Sequence, residues 1–350
     1  MTTTDFGRRQ LIVRAGPVSA RSSWRAAVVV AALLIGCAVV AVVAVGFGKY
    51  AVSPGDVLRV LVGANTSFDR VVVLQWRMPR MVMALLIGAA LGMSGAIFQA
   101  LTRNSLGSPD IIGINAGAYT GALVIIAAVG TGYYAVAAGA LAGGLLTAVV
   151  VYALSYRNGV AGYRLIVVGI AVSAVLSSVN QWIVIKLDFH TAVTASVWQQ
   201  GTLGGVSWTQ VVPMTVCLLM LTAALVAIGP RLPVLQMGDD AAGALGVRPE
   251  PARLGYLAIG VGMVALACAA AGPITFVALA APQIVRRLTA SPGVGLGPSA
   301  AMGALLLLLS DVLAQHLFAG SELPVGAVTA SLGGAYLVYL LVSQARKGSR

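Results

Sequence analysis

The chain has 350 residues, of which 59% are hydrophobic and only 9% charged, against the roughly one quarter that is charged in a soluble domain. Such a sequence cannot be covered by a polar surface, which excludes an ordinary water-soluble enzyme. The formal net charge of +12 does not point to nucleic acid, because the arginines fall at the ends of apolar runs and in short connections rather than on one basic face.

Residues 1–25 are basic and polar and are expected to form a cytoplasmic tail. The apolar run after them is too long for a signal-peptide core and has no small-residue cleavage site. Hydropathy then marks ten spans, at about 26–48, 81–101, 111–129, 134–154, 164–185, 210–229, 254–271, 274–289, 299–318 and 324–342. Most are close to the ~20 residues that an α-helix needs to cross ~30 Å of hydrocarbon. The fold class expected is all-α: a polytopic membrane protein with a ten-helix domain over 26–342 and a C-terminal tail over 343–350. The boundary at Gly272-Pro273 is the most weakly marked.

With the N-terminus inside, the outer segments hold Lys49, Arg59, Arg70, Arg77, Arg80 and Lys186, and the other sixteen of the 22 Lys and Arg lie inside. The positive-inside rule thus supports ten spans with both termini cytoplasmic. Ten spans divide as five and five, and an odd number per half inverts the second half relative to the first. Ala84–Asn104 and Met263–Leu288 both run from small apolar residues through Gly to a polar or Arg-containing end, the faint trace of such a repeat. Gly113, Gly117 and Gly121 form one stripe, and Gly88/Gly92 and Gly139/Gly143 form shorter ones, which read as close helix packing.

Groups for chemistry are few. Asp311 is the one carboxylate inside a predicted span, and its expected role is a hydrogen bond between helices, with proton coupling as the alternative. His190 and His316 lack metal-ligand spacing, and Cys37, Cys217 and Cys268 sit in apolar segments as small hydrophobes, so neither a metal nor a cofactor is expected. A phosphate-cradling G-x-x-x-x-G-K-[ST] loop is missing, since Gly48-Lys49 is followed by Tyr50. Any ATPase must therefore be a separate chain.

That directs attention to the inner loop, about 230–253, where Met237–Val247 reads as a short helix. Gly238, Asp239, Asp240, Ala241, Leu245 and Gly246 are the candidate contacts to a motor, with Asp239 expected to cap the N-terminus, Asp240 to favour the dipole and Gly246 to close the helix. A surface helix without a partner is the alternative. On the outer side, Arg77 and Arg80 open the second span, where two cations oppose both the macrodipole and the positive-inside bias. They suit either lipid-phosphate anchoring or docking of an acidic partner.

Arg77-Met-Pro-Arg80, Leu86–Gln99, Arg103–Asp110, the Gly238-Asp-Asp-Ala-Ala loop, Ala271-Gly-Pro-Ile-Thr-Phe276 and Glu322-Leu-Pro-Val-Gly326 together resemble the permeases of the iron-siderophore and vitamin B12 ABC importers. Gln75-Trp76-Arg77 and Leu235–Asp240 look most like the ferric-enterobactin permease subunits of that family. The resemblance implies a ten-helix permease of the plasma (inner) membrane importing a catecholate-like ferric siderophore. The implied partners are two cytoplasmic ATP-binding subunits, an extracytoplasmic siderophore-binding protein, membrane lipid and a sister permease, as a heterodimer or alternatively a homodimer. No nucleic acid is involved.

Carried over, Arg77 and Arg80 would meet acidic residues of the binding protein. A third docking arginine of the family falls at Gln315, with His316 beside it. The 239–247 helix would contact the ATPase. Pro282-Gln283 stands where the family has Pro-His. The fifth span would line the pathway with Ser173, Ser177, Asn180 and Gln181, with Ser178 on the same helix; hydrogen bonding between helices explains these polar residues equally well. An ion-gradient-driven secondary transporter is the other functional reading, and it would want more intramembrane acids than Asp311. An intramembrane enzyme would need paired catalytic groups, and none occur in the spans.

Overall fold

A computed structural model describes residues 2–5, 9–15, 18–46, 50, 52–63, 68–156, 162–291, 293, 295–317 and 323–348. Each of the ten hydropathic segments is a helix: α1 (Trp24–Gly46), α4 (Met78–Thr102), α5 (Ile114–Ala128), α6 (Tyr133–Ser155), α7 (Gly162–Lys186), α9 (Trp208–Ile228), α12 (Pro249–Ala271), α13 (Val277–Thr289), α14 (Leu296–His316) and α15 (Val325–Gly348). Short helices α2 (Pro54–Leu61), α3 (Phe68–Val71), α8 (Phe189–Gln199), α10 (Leu232–Gln236) and α11 (Asp239–Ala244) lie between them, and a π-helical stretch, Val72–Arg77, leads into α4. Seven helices are long and apolar enough to cross a membrane among the described residues, with α5 and the apolar part of α15 shorter. The body is all-α and multi-pass.

One element goes beyond the expected tail. Thr2–Asp5, Arg9–Ala15 and Val18–Ser23 pair as an antiparallel three-stranded ribbon, β1–β2–β3, which runs directly into α1. The run Leu11-Ile12-Val13 has the branched, apolar character that favours extended backbone.

The two halves repeat the same order of lengths. A long helix, a break, a short helix and two long helices appear as α4, α5, α6 and α7 with 25, 15, 23 and 25 residues, and again as α12, α13, α14 and α15 with 23, 13, 21 and 24. Packing is reciprocal, since α4 lies against α14 and α12 against α6. The small residues permit this. A Cβ on Gly88 or Gly92 would overlap the backbone of Gly303 or Ser299, and one on Gly121 would overlap the Gly139 carbonyl. The predicted glycine stripes are therefore the α4–α14 and α5–α6 contacts, as close approach without a hydrophobic drive requires.

At 1.5 Å per residue, α5 and α13 are only about 22 and 20 Å long, too short for ~30 Å of hydrocarbon. The breaks before them, 103–113 and 272–276, are accordingly folded inside the bundle, where irregular backbone must find protein partners. It does so. The Asp110 carboxylate accepts from Asn115 Nδ2 at 2.9 Å, from Ser108 Oγ at 3.1 Å and from the Phe276 N–H at 3.3 Å, joining one break to the other. Cys268 donates to Asn115 Oδ1, and Gln283 Nε2 donates to the Ser105 carbonyl at 2.7 Å. Gln283 is thus a tie from α13 to the first break. The helix boundary at Gly272-Pro273 is also explained: α12 ends at Ala271, and Gly272 takes φ +77, which favours glycine.

Candidate functional site

Three groups of residues singled out in the sequence fall in three separate regions. At the expected outer end of α4, Arg77 donates to the carbonyls of Val45 at 2.7 Å, Gly46 at 3.3 Å and Tyr50, which fastens the end of α1 to α4. Arg80, one turn later, forks onto Asp311 of α14 with nitrogen–oxygen distances of 3.0 and 3.1 Å. Gln315 Nε2 donates to the same carboxylate at 2.8 Å. The side chains of Arg80 and Asp311 are 15% and 2% exposed, so the pair is largely desolvated. Asp311 is therefore hydrogen-bonded between helices as its sequence context implies, and its cationic partner is Arg80. His316 does not join the group; its ring turns to the Val312 carbonyl.

The inner loop forms the expected short helix, α11. Its start departs from the expectation: Gly238, at φ +119, occupies the N-cap position and Asp239 is the first helical residue. The Asp239 carboxylate is drawn away from the helix end by Arg253, at 2.8 Å, and lies 3.7 Å from Arg103. Asp240 follows in the first turn, Ala241 lies along the helix, Leu245 caps its C-terminus, and Gly246 at φ +77 turns the chain while the Val247 N–H reaches back to the Ala242 carbonyl. Leu245 is 61% exposed. Asp239 thus links α11 to α12 and to Arg103, which carries the left-handed turn ending α4.

Along α7 the polar residues divide. Ser173 stands apart: its hydroxyl bonds the Gly169 carbonyl at 2.7 Å and packs against Gly113, where a side chain would collide with it. Ser177, Asn180 and Gln181 line a cleft of about 250 Å³ together with Tyr119 of α5 and with Val184, Ser196 and Gln199. Asn180 Nδ2 donates to the Ala116 carbonyl at 3.3 Å, the helix-to-helix hydrogen bond that a purely structural role provides. Its Oδ1, however, and the Tyr119 hydroxyl are buried without a partner. Trp198, at the end of α8, stacks on Tyr119 with ring centroids 6.2 Å apart and planes 15° from parallel. Asp188 caps α8, and the bonds it accepts from Thr191 hold its carboxyl below the usual carboxylate range.

Tyr119, Ser196, Trp198 and Gln199 were not singled out from the sequence. Tyr119 sits two residues after Gly117 in the glycine stripe and reads there as a core aromatic; only the fold brings it beneath α7. No group of three or more His, Cys, Asp or Glu able to hold a metal occurs among the described residues.

The profile of the FecCD transport family matches residues 33–343. The chain belongs to this family. It is 44% identical to the ferric enterobactin transport system permease protein FepG of Escherichia coli (strain K12), over 90% of this chain and 96% of that one. It is 36% identical to the iron(3+)-hydroxamate import system permease protein FhuG of Bacillus subtilis (strain 168), over 90% and 96%. Among solved structures, an inward-facing conformation of a metal-chelate type ABC transporter superposes with a TM-score of 0.80 at 26% identity, covering 91% of this chain and 99% of that one.

Proposed function

We propose that this FecCD-family chain is the permease subunit of an ATP-binding-cassette importer that carries catecholate-like ferric siderophores across the inner membrane, by alternating access driven by separate ATPase subunits. The observation that carries the reading is the α7 face. Only 11% of the apolar window of α7 is buried within the chain, yet Ser177 and Gln181 are exposed on it. Hydroxyl and amide groups left in hydrocarbon are costly. This face therefore borders water or a second subunit, as a permease that lines a pathway with its partner requires. The enterobactin named for the 44% identical relative supports the catecholate class.

The remaining assignments extend this reading from the sequence and the family resemblance. An extracytoplasmic siderophore-binding protein docks on the outer rim at Arg77, Arg80 and Gln315, and Arg80 presents there a fork already fixed and neutralised by Asp311. The cytoplasmic ATP-binding subunits engage α11 through Gly238, Asp239, Asp240, Ala241, Leu245 and Gly246. A sister permease covers α7, and the cargo passes along Ser173, Ser177, Asn180 and Gln181. The chain itself hydrolyses nothing. Both termini are cytoplasmic, residues 26–342 form the permease domain and 230–253 its coupling loop.

A secondary transporter would cycle an intramembrane carboxylate through protonation. Asp311 is committed to Arg80 and Gln315, which disfavours that mechanism. Reconstitution of the chain with its ATPase, binding protein and sister permease decides between the two: ferric-siderophore uptake is expected to require ATP and to ignore a collapsed proton gradient. Uptake that persists without ATP and follows the gradient overturns the proposal.

A further inference from the structure

We infer that the cleft between α5, α7 and α8 is a cargo-binding station that receives one amide-bearing aromatic arm of the chelate; the inference rests on the importer reading above. Two buried polar atoms point to a ligand. Tyr119 is 3% exposed and Asn180 4% exposed, and the Tyr119 hydroxyl and Asn180 Oδ1 both lack a hydrogen-bond partner. Leaving such groups unpaired costs about 1–3 kcal/mol each, and the two residues that carry them both line the same space. The Asn180 amide cannot be turned round to cure this without placing its oxygen against the Ala116 carbonyl that Nδ2 now bonds.

The chemistry of the lining defines the class of ligand. Tyr119 offers a phenolic donor, Asn180 an acceptor, and Ser177, Ser196, Gln181 and Gln199 offer hydroxyls and amides of either polarity. None of these side chains is charged, so the cleft cannot neutralise a bare ferric ion or a free carboxylate. Instead it matches a surface of amide N–H, carbonyl and phenolic oxygen groups. Tyr119, held by its stack on Trp198, adds an aromatic residue to the lining that suits a ring. Its size agrees. At about 250 Å³ the cleft is below the ~300–1,000 Å³ that encloses a whole drug-sized ligand, and a hexadentate chelate would present only one arm to it. Since Ser177 and Gln181 are exposed on the face assigned to the pathway, the station opens where cargo passes.

The test uses the complete reconstituted importer carrying Ser177→Cys in a Cys217→Ser background, since Cys217 is the exposed native thiol and Cys37 and Cys268 are buried. Maleimide labelling of the introduced thiol is followed during ATP-driven turnover with a ferric tris-catecholamide and, separately, with ferric citrate, which has no aromatic amide. The catecholamide is expected to slow labelling about threefold to tenfold, with little effect of citrate, and Tyr119→Phe is expected to remove most of that protection. A threefold to tenfold ratio is what one neutral hydrogen bond supplies. Iron uptake with unchanged labelling, equal protection by citrate, or full protection in Tyr119→Phe overturns the station while leaving the importer reading intact. Absence of any ATP-dependent catecholamide uptake by the importer with native Ser177 overturns the importer reading itself.

Discussion

Arg80 and Asp311 show how one contact changes what each residue can do. Read alone, the arginine is a cation awaiting an external acid and the aspartate is an isolated intramembrane carboxylate. Joined at 3.0 Å with side chains 15% and 2% exposed, they neutralise each other where neither is well hydrated. Removing one member strands the other, which costs about 3–5 kcal/mol in buried pairs. Arg80→Leu is therefore expected to lower unfolding stability in detergent by that order, whereas Arg80→Leu with Asp311→Leu recovers most of the loss. Equal destabilisation by the single and double variants would mean that the pair is not coupled. The sequence disclosed both residues and the helices that carry them, but nothing in their spacing of 231 positions disclosed the partnership. Asp110 was hidden for a related reason: it lies in a break rather than a span, and its function as a tie depends on the Phe276 N–H from the other half.

At the scale of elements, helix existence was legible because apolar length determines it, and all ten spans are helices. Which helices touch was half legible. Glycine spacing marks a face that admits a close neighbour, but only the fold shows that Gly121 meets Gly139 and Gly88 meets Gly303. The π-helical lead into α4 and the ribbon before α1 carry no periodic signal of comparable strength. Close approach makes a sharp expectation. Gly121→Leu must push α5 and α6 apart, and should abolish accumulation of folded protein in the membrane, while Gly334→Ala, with nothing within 4 Å of the added carbon, should leave the melting temperature of the chain unchanged or slightly raised, since Ala is favoured over Gly in a helix by up to about 1 kcal/mol. Comparable loss in both variants, read by size-exclusion profile and thermal melt, would remove the packing explanation.

Over the whole molecule, the repeated order of long, short, long and long helices places two breaks inside the bundle and leaves α10 and α11 as short helices of the inner loop. The cleft could not be read from sequence because its walls come from α5, α7 and α8, brought together only by folding. The proposed coupling helix is different, since its residues 238–246 are contiguous and the connections of Asp239 are electrostatic. Asp239 reaches Arg253 of α12 and lies near Arg103 at the end of α4, so displacement of α11 by a motor would be felt by the first long helix of both halves. Asp239 is 54% exposed, and exposed ion pairs contribute only about 0.2–1 kcal/mol; Asp239→Ala should therefore fold and reach the membrane normally. Its expected defect is in transmission: ATP hydrolysis by the assembled importer continues while iron imported per ATP falls severalfold, and raising ionic strength lowers the wild-type ratio toward the variant's because screening weakens the same contacts. A variant with an unchanged ratio at low salt would count against α11 as the contact that transmits the motor's movement.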